Sequence, residues 1–313
     1  PLQIRNLKRF VMDKLGDTFQ PKMSTVTRDQ RVAIVGAGPA GLVAAHDLAV
    51  AGFKVDVYEM TDRAGGMMIW GIPAFRLPPG IIQEDIDRLT HRCAGLNIHL
   101  NTELGKDVSL KELTDRHDAV LLTIGAWWGK PMGIPGEDLA RSHTATEFVA
   151  WFNGHPEYRD RQFDLSVERV AVVGVGNVAV DVARILSRSA EELSTTDIAD
   201  HALEALRQSR VKEVYMLGRR GPAQAAFTNP EVKELGELAG ADIQVMEEEV
   251  ELDPLSRAEV EQSDDRKLQK KLEILREFAA HSPAGKPRTL TIRFLVSPVE
   301  LVGNEAGQVE GLR

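Results

Sequence analysis

The sequence contains a single cysteine, Cys93, among its 313 residues. One thiol cannot form an intrachain disulfide, a Cys-x-x-Cys redox pair or the four-thiolate cage of an iron–sulfur cluster. Electron transfer by this chain would therefore depend on a bound organic cofactor. For Cys93 itself we expect a small buried hydrophobic residue rather than a reactive thiol.

The sequence also lacks an excess of positive charge and any long hydrophobic run. Its formal net charge is -9, whereas nonspecific binding to nucleic acid or to anionic membranes requires a basic surface. No stretch of about 18 uncharged apolar residues is present, and Pro1 to Arg5 do not show the basic-then-apolar pattern of a secretion signal. We therefore expect no nucleic-acid partner, no membrane span, no metal site and a cytoplasmic location.

The remaining composition is that of an ordinary globular protein, with 43% hydrophobic and 27% charged residues. The length is sufficient for about two domains. Residues 1–28 stand apart, because Ile4, Leu7, Phe10, Val11 and Leu15 recur at helical spacing between basic residues. We predict an amphipathic helix there, followed by a polar linker that begins near Gln20.

A glycine-rich motif, Gly36-Ala37-Gly38-Pro39-Ala40-Gly41, follows the apolar run 32–35 and opens a helical pattern. The next apolar run, 54–58, ends in Glu59. In such a unit the first glycine makes a tight turn, the second admits a pyrophosphate and the third allows close helix–strand packing. An acid after the second strand accepts hydrogen bonds from a ribose. The spacing predicts a dinucleotide site rather than a purely structural turn.

The same theme returns at Gly174-Val175-Gly176-Asn177-Val178-Ala179, between the apolar run 170–173 and another helical pattern. Here the next strand, 213–217, is followed by Gly218-Arg219-Arg220 instead of an acid. Paired guanidinium groups match the oxygens of a ribose 2′-phosphate, which a carboxylate would repel. The pattern favours NADPH over NADH, although two surface arginines at a strand end remain the alternative.

Two dinucleotide units in one chain indicate two cofactors, of which one is usually a flavin. Because only the second unit carries the arginine pair, the order suggests FAD first and NADPH second, with hydride passing from nicotinamide to flavin N5. The fold class is then α/β, with two Rossmann-like domains and an N-terminal helical extension.

The secondary structure between these motifs is predicted more coarsely. Residues 65–79 are expected to form a loop, Ala119 to Ile124 a buried strand, and Thr196-Asp197 the cap of an extra helix. The acidic runs Glu247-Glu248-Glu249 and Asp264-Asp265 are expected to be solvated faces rather than docking tails.

The span from Arg31 to about Gly125 resembles the flavin domain of the glutamate synthase small subunit and of dihydropyrimidine dehydrogenase. The residues that carry this resemblance are the first glycine motif, Glu59, Arg63-Ala64-Gly65-Gly66, Gly71-Ile72-Pro73-Ala74-Phe75-Arg76-Leu77-Pro78 and Thr123-Ile124-Gly125. From about Glu147 onward the chain looks more like adrenodoxin reductase and bacterial NADPH–ferredoxin reductases. The carriers there are 174–184, Thr196 to His201 and Gly218 to Thr228. Both resemblances fall within the pyridine nucleotide-disulfide-oxidoreductase-like flavoproteins.

The resemblance implies a role for individual residues. FAD would be held by Gly36, Gly38, Pro39, Ala40, Gly41, Glu59, Gly65, Gly66, Met67, Trp70 and Gly125. Taken without the resemblance, Met67, Met68 and Trp70 favour a packed loop instead. NADPH would be held by Gly174, Gly176, Asn177, Val178, Arg219, Arg220 and Glu231. Asp181 would face the gap between flavin and nicotinamide, as the candidate catalytic residue, or else be an exposed helix residue.

The resemblance also implies a domain order. We expect an N-terminal helix and linker at 1–28, an FAD-binding domain at 29–141, an inserted NAD(P)H-binding domain at 142–297, and the start of a return to the first domain at 298–313. Adrenodoxin-reductase-like proteins carry a histidine after the Gly-Gly pair, but this chain has Trp70 to Arg76 there, so we expect no acid–histidine partner for Asp181. The chain ends before the segment that would cover the flavin ring, so the expectation is a fragment or a site completed by another chain.

Three functions are compatible with these residues. The first is a diaphorase-type subunit that exchanges electrons between nicotinamide and the iron–sulfur or metal centre of a partner subunit. The second is a stand-alone NADPH–ferredoxin reductase. The third is a nucleotide-binding or interaction module without turnover.

Overall fold

The computed structural model describes residues 4–15, 23–74, 76–126 and 128–313. The first residues of the expected linker, Gln20 to Lys22, and Phe75 of the proline-rich run lie outside this part of the chain. The molecule divides into two compact units. Unit 1 is Pro1–Ile72 with Leu77–Gly125, and unit 2 is Pro73–Arg76 with Ala126–Arg313. The domain boundaries expected at residues 141 and 297 stay predictions.

Unit 1 is built on a four-stranded parallel sheet in the order β3-β2-β1-β4. Its elements are α1 (Ile4–Leu15), β1 (Arg31–Val35), α2 (Pro39–Val50), β2 (Lys54–Tyr58), α3 (Met67–Trp70), α4 (Pro79–Arg92), β3 (Leu96–His99), α5 (Leu110–Arg116) and β4 (Ala119–Leu122). The alternation of strands and helices with short connections produces the parallel arrangement, because parallel neighbours need a crossover.

The central strands β1 and β2 form the core of unit 1. Ile34, Val55 and Val57 are fully buried, as expected for strands covered on both faces. Helices α2 and α4 cover one face through Leu42 and Ile82. Each fully buried aliphatic side chain contributes about 2 kcal/mol to folding by leaving water. The apolar face of α1, by contrast, stays exposed, since Ile4, Leu7 and Phe10 are each more than half accessible.

Unit 2 contains a second four-stranded parallel sheet, in the order β5-β6-β8-β7, and a two-stranded antiparallel hairpin of β9 and β10. Its elements are α6 (Ala145–Phe152), β5 (Arg169–Val173), α7 (Asn177–Ser187), α8 (Ala190–Leu193), α9 (Asp200–Arg207), β6 (Glu213–Leu217), α10 (Asn229–Leu235), β7 (Ala241–Val245), α11 (Glu247–Val250), α12 (Pro254–Gln262), α13 (Arg266–Ala279), β8 (Arg288–Arg293), β9 (Leu301–Gly303) and β10 (Val309–Leu312).

The core of unit 2 is larger and richer in aromatic side chains. Phe152, Phe227 and Phe294 are each at most 1% exposed and belong to one cluster. The hairpin of β9 and β10 turns at Asn304, whose side-chain oxygen accepts hydrogen bonds from the backbone N–H groups of Ala306 and Gln308. Asparagine and glycine are typical of such a turn because the amide mimics a backbone acceptor.

Three secondary-structure expectations are wrong. The expected loop at 65–79 contains the short helix α3, whose apolar residues pack into the core of unit 1. Strand β4 is present but not buried: Leu121 and Leu122 are 40% and 50% exposed, because β4 is the edge strand of its sheet. The extra helix is α9, which begins after Ala199 without a side-chain cap, so the capping role given to Thr196-Asp197 is also wrong.

The acidic runs are only partly solvated. Glu249 is buried, and its carboxylate accepts hydrogen bonds from Arg293 Nε at 2.6 Å and from the backbone N–H of Phe294 at 2.7 Å. Asp265 caps α13 by accepting from the backbone N–H of Lys267. The interpretation of Glu249 as part of a solvated face is therefore wrong, since Arg293 supplies its counter-charge. Cys93 is buried in the unit 1 core, and burial raises the pKa of its thiol, which confirms the expected packing role.

Among the helices that the structure describes, none is both long enough and apolar enough to cross a lipid bilayer. The described residues likewise contain no group of three or more histidine, cysteine, aspartate or glutamate side chains placed to hold a metal ion.

Candidate dinucleotide-binding sites

The first glycine motif lies at the carboxyl end of β1, where the chain turns into α2. Helix α2 begins after Gly38, which offers no side-chain cap, and has Pro39 in its first turn. The first backbone N–H groups of a helix have no intrahelical acceptor, and the helix dipole favours an anion beside them. The start of α2 is therefore suited to a pyrophosphate.

Two close approaches explain why glycines are required around this turn. A Cβ on Gly41 would lie 1.9 Å from the carbonyl oxygen of Gly36, so α2 packs against the turn only with glycine there. A Cβ on Gly66, where φ is +52°, would lie 2.8 Å from Gly38 Cα. Gly65 donates its backbone N–H to Ala37 O at 2.8 Å. The Gly65-Gly66 pair thus lies directly on the glycine motif, as the resemblance implies for a shared ligand surface.

Glu59 is 5% exposed and follows β2. One carboxylate oxygen accepts from the backbone N–H of Ala37 at 2.8 Å, and the other accepts from the N–H and hydroxyl of Thr61 at 3.0 and 2.8 Å. These bonds fix the carboxylate beside the glycine motif. A carboxylate has about four acceptor positions, so Glu59 retains acceptor capacity for ribose hydroxyls.

The other residues expected at the flavin differ in accessibility. Met67 is 51% exposed, whereas Trp70 is 6% exposed and belongs to the unit 1 core. Thr123 donates its hydroxyl to the carbonyl oxygens of Val35 and Gly36, which holds the segment that leads to Gly125 against the glycine turn. Met67 and Gly125 are thus presented to a ligand more directly than Trp70.

The second glycine motif repeats this local arrangement in unit 2. Helix α7 begins after Gly176 with no side-chain cap, and a Cβ on Gly176 would meet no atom within 4 Å. Val178 is 53% exposed in the first turn, and Asn177 accepts from the backbone N–H of Thr228 at 2.8 Å. The loop after β6 is thereby tied to the motif, and the first N–H groups of α7 remain available to an anion.

Arg219 and Arg220 are both exposed immediately after β6. Neither guanidinium forms a hydrogen bond or an ion pair with any residue that the structure describes. Together they line a cavity of about 350 Å³. Its other lining residues are Gly221, Pro222, Gln224, Glu251, Leu252, Asp253, Ser256 and Leu295. Two unpaired cations on one cavity wall provide the donors that a 2′-phosphate requires.

Asp181 takes part in a network of charged side chains within unit 2. Arg76 reaches Asp181 at 2.9 Å and Glu231 at 2.8 Å. Arg184, whose side chain is fully buried, reaches Asp181 at 3.1 Å and Glu234 at 2.8 Å. The Asp181 side chain is 13% exposed, so the alternative that it is an exposed helix residue is wrong.

The protonation of this network is dominated by burial. Burial raises the pKa of Asp181 above its ordinary value, although Arg76 and Arg184 both act in the opposite direction. Burial and the neighbouring Arg76 lower the pKa of Arg184. One carboxylate oxygen of Glu231, Oε2, is buried and has no hydrogen-bond partner within the described part of the chain. An orphaned buried acceptor of this kind carries a desolvation cost unless a ligand donor meets it.

In unit 1 the structure places Glu59 and the Gly65-Gly66 pair against the first glycine motif. In unit 2, Arg219 and Arg220 line the cavity, whereas Asp181 and Glu231 belong to a separate charged network. Sequence reasoning missed Arg76 as the partner of Asp181, and it also missed the acidic wall of the arginine cavity. The first omission had a signal, because Arg76 is the only charged residue of the run 70–78. The second had none, because Glu251 and Arg219 are distant in sequence.

A model of the pyridine nucleotide-disulphide oxidoreductase family matches residues 30–217. NADPH-ferredoxin reductase FprA of Mycobacterium leprae is 37% identical over 286 residues, covering 89% of this chain and 61% of that protein. The mitochondrial NADPH:adrenodoxin oxidoreductase of Arabidopsis thaliana is 37% identical over 298 residues, covering 92% and 61%. The solved structure of Mycobacterium tuberculosis FprA in complex with NADPH has a TM-score of 0.83 at 36% identity, covering 91% of this chain and 63% of that one.

The chain thus spans about three fifths of the length of these relatives. The similarity to the ferredoxin and adrenodoxin reductases extends over both halves of the chain, although the sequence motifs indicate it for the second half. The parallel sheets, the two glycine motifs and the family match agree with the Rossmann-like α/β fold expected from the sequence. The chain belongs to the pyridine nucleotide-disulphide oxidoreductase family.

Proposed function

We propose that the chain carries the two nucleotide sites of an FAD-dependent NAD(P)H oxidoreductase of the diaphorase type. It would move hydride between nicotinamide and flavin, and exchange electrons with a ferredoxin or with the iron–sulfur or metal centre of a partner subunit. A cytoplasmic location belongs to the same proposal.

One observation carries this proposal: the two glycine motifs are followed by opposite charges. In unit 1, Glu59 is buried and hydrogen-bonded beside the motif, which suits unphosphorylated ribose hydroxyls. In unit 2, Arg219 and Arg220 are exposed and unpaired along a cavity. Two sites of one fold that differ in this way suit two different dinucleotides, of which the second carries a 2′-phosphate.

The residues at the two glycine motifs fit FAD and NADPH. The uncapped start of α2 and the contact between Gly38 and Gly66 leave backbone surface for the FAD pyrophosphate. The uncapped start of α7 offers the same to NADPH. When bound, FAD accepts a hydride and passes electrons on singly. The chain itself binds and orients both nucleotides and holds the charged network of Asp181 and Arg76. A catalytic role for Asp181 and contacts of Glu231 with NADPH are part of the proposal.

The names of the relatives support the choice of electron partner. The Mycobacterium leprae protein is an NADPH-ferredoxin reductase, and the Arabidopsis protein is an NADPH:adrenodoxin oxidoreductase. Because the chain covers about 61% of each relative, the activity and the electron partner are part of the proposal.

The test is an anaerobic titration of the purified, FAD-loaded protein with NADPH and with NADH, followed by its visible absorption spectrum. We expect the flavin bands to bleach at a lower concentration of NADPH. The double variant Arg219→Ala/Arg220→Ala should require about 30-fold more NADPH, because two charge-assisted contacts contribute about 2 kcal/mol together. Its response to NADH should change by less than about twofold.

The matched control is Arg207→Ala/Arg210→Ala, which removes two exposed arginines that do not line the cavity. It should leave both titrations unchanged. Equal bleaching by NADPH and NADH in every variant would contradict the 2′-phosphate assignment. A protein that binds no FAD, or whose bound flavin neither nucleotide reduces, would contradict the oxidoreductase function and favour a nucleotide-binding module.

The diaphorase-type subunit and the stand-alone reductase differ in what they need for turnover. A stand-alone enzyme would reduce added ferredoxin with NADPH and no further protein. A diaphorase-type subunit would reduce small dyes but would need its partner subunit for the iron–sulfur centre. The exposed apolar face of α1, which carries Leu7 and Phe10, favours the subunit, because an unburied amphipathic helix is suited to docking.

A further inference from the structure

The cavity beside Arg219 and Arg220 is also lined by acidic residues. The two arginines come from the loop after β6, and other lining residues come from the segment 251–256, between α11 and the first turn of α12. That segment contributes the carboxylates of Glu251 and Asp253. The cavity therefore combines two positive and two negative side chains.

The two carboxylates are not equivalent. Asp253 is engaged as the cap of α12, because it accepts from the backbone N–H groups of Leu255 at 2.9 Å and Ser256 at 3.1 Å. Hydrogen bonds from Ser256 hold the pKa of Asp253 below its ordinary value. Glu251 is exposed, and its carboxylate forms no hydrogen bond or ion pair within the described residues. Of the two acids, Glu251 is thus the one available to a ligand.

A carboxylate in this position acts oppositely on the two forms of a nucleotide. A 2′-phosphate carries up to two negative charges, which Arg219 and Arg220 attract and Glu251 repels. A free 2′-hydroxyl is neutral and can donate a hydrogen bond to a carboxylate, as in sites that prefer NADH. Glu251 therefore opposes the selectivity that the arginines provide.

We propose that Glu251 is a specificity-determining residue of the second nucleotide site. It lowers the preference of the cavity for 2′-phosphorylated nucleotides, so that the unphosphorylated form is also accepted. The inference rests on the proposed function, since it concerns the site given there to NADPH. The arginine pair alone implies neither a role for Glu251 nor a weakened preference for 2′-phosphorylated nucleotides.

The experiment compares the affinities of 2′-phospho-ADP-ribose and ADP-ribose for the FAD-loaded full chain by titration calorimetry at low ionic strength. These probes contain the ribose groups in question and no nicotinamide, so flavin reduction does not interfere. In Glu251→Gln, which keeps the size of the side chain, the ratio of the two affinities should rise about fivefold in favour of the phosphorylated probe. Added salt should diminish this gain, because the charges are exposed.

The matched control is Glu248→Gln, which removes an exposed acid of α11 that does not line the cavity. It should leave the ratio unchanged, because screened charges outside the cavity contribute little. A ratio that is unaltered in Glu251→Gln, or that rises equally in Glu248→Gln, would overturn the role of Glu251.

Failure of the proposed function has a different signature. If neither probe binds, or if Arg219→Ala/Arg220→Ala binds the phosphorylated probe as well as the unaltered chain does, the cavity is not the nucleotide site. If the arginine variant loses affinity while Glu251→Gln changes nothing, the nucleotide site stands and only the specificity role of Glu251 falls.

Discussion

Asp56 in unit 1 and Asp181 in unit 2 both have a carboxylate that is little exposed to solvent and lies beside an arginine. Their pKa values nevertheless depart from the ordinary value in opposite directions. The Asp56 side chain is 5% exposed and accepts from Arg31 at 2.8 Å. Burial acts to raise its pKa, but hydrogen bonds from Arg31, Asn97, His99 and His117 lower it to about 2. Four donors from four different positions therefore outweigh the burial of one charge.

Asp181 has two arginine partners but shares them. Arg76 also pairs with Glu231, and Arg184 also pairs with Glu234, so two guanidinium groups serve three acids. Burial then dominates and raises the pKa of Asp181. The number of donors for each carboxylate, rather than the presence of an arginine, therefore separates the pKa of Asp56 from that of Asp181.

The largest effect is expected at Arg184, the fully buried cation of unit 2. Arg184→Met should lower the free energy of unfolding of this unit by about 4 kcal/mol, because it leaves Asp181 and Glu234 short of a counter-charge. Urea unfolding followed by hydrogen exchange of the β5 amides measures this loss. The exposed Arg276→Met in α13 serves as the control. An equal, small effect of both substitutions would show that the acids do not depend on Arg184.

The two glycine motifs differ at their third glycine position, which is Gly41 in unit 1 and Ala179 in unit 2. In unit 1, Gly41→Ala should destabilise by about 3 kcal/mol, because the new methyl group would overlap the carbonyl oxygen of Gly36. In unit 2 the corresponding residue is already an alanine, and Ala179→Gly should cost only about 1 kcal/mol. Hydrogen exchange of the β1 and β5 amides separates the two units. Comparable losses in both would mean that the two turns pack alike.

Acidification should distinguish the two aspartates. Asp56 has a lowered folded-state pKa, so its contribution of about 2 kcal/mol is present above its unfolded pKa and is lost as pH falls from about 5 to about 2. Asp181 has a raised pKa, so its protonation favours the folded state over the upper part of that range. The stability of unit 1, followed by amide exchange, should therefore fall with acid less steeply in Asp56→Asn. An identical acid profile in that variant would refute the role of Asp56.

The smallest effect is expected at Arg31. Its side chain is half exposed, so Arg31→Met should destabilise unit 1 by about 1 kcal/mol or less, although it contacts Asp56 at 2.8 Å. Asn97 and His117 would still form hydrogen bonds with the Asp56 carboxylate. Unfolding in urea provides the measurement. A loss as large as that of Arg184→Met would mean that exposure does not separate the two arginines.

The sequence predicts well those parts of the fold that depend on local patterns. Strands β1, β5 and β6 and the starts of α2 and α7 follow from short apolar runs that end in glycine, and β2 follows from a run that ends in Glu59. It fails where burial depends on distant residues. Strand β4 is as apolar as β1, but only the sheet order shows that β4 is an edge. Glu249 becomes buried only because Arg293, on another strand, meets it.

The candidate site follows the same rule. The glycines, Glu59 and the arginine pair are found from spacing, because each follows directly from a strand end. The partner of Asp181 is not, since Arg76 lies 105 residues before it. Spacing also cannot distinguish Met67 from Trp70, which face solvent and core respectively.

The short segment Pro73–Arg76 has a consequence for dissecting the protein. Unit 2 is discontinuous in sequence, because these four residues belong to it while both flanks belong to unit 1. A fragment excised at Ala126 would lose Arg76 and keep all three acids that Arg76 meets. In such a fragment Arg184 would be left to compensate Asp181 and Glu234, and Glu231 would have lost its guanidinium partner. Expression boundaries for the nucleotide domain should therefore include the first half of the chain, or replace one of these acids by a neutral residue.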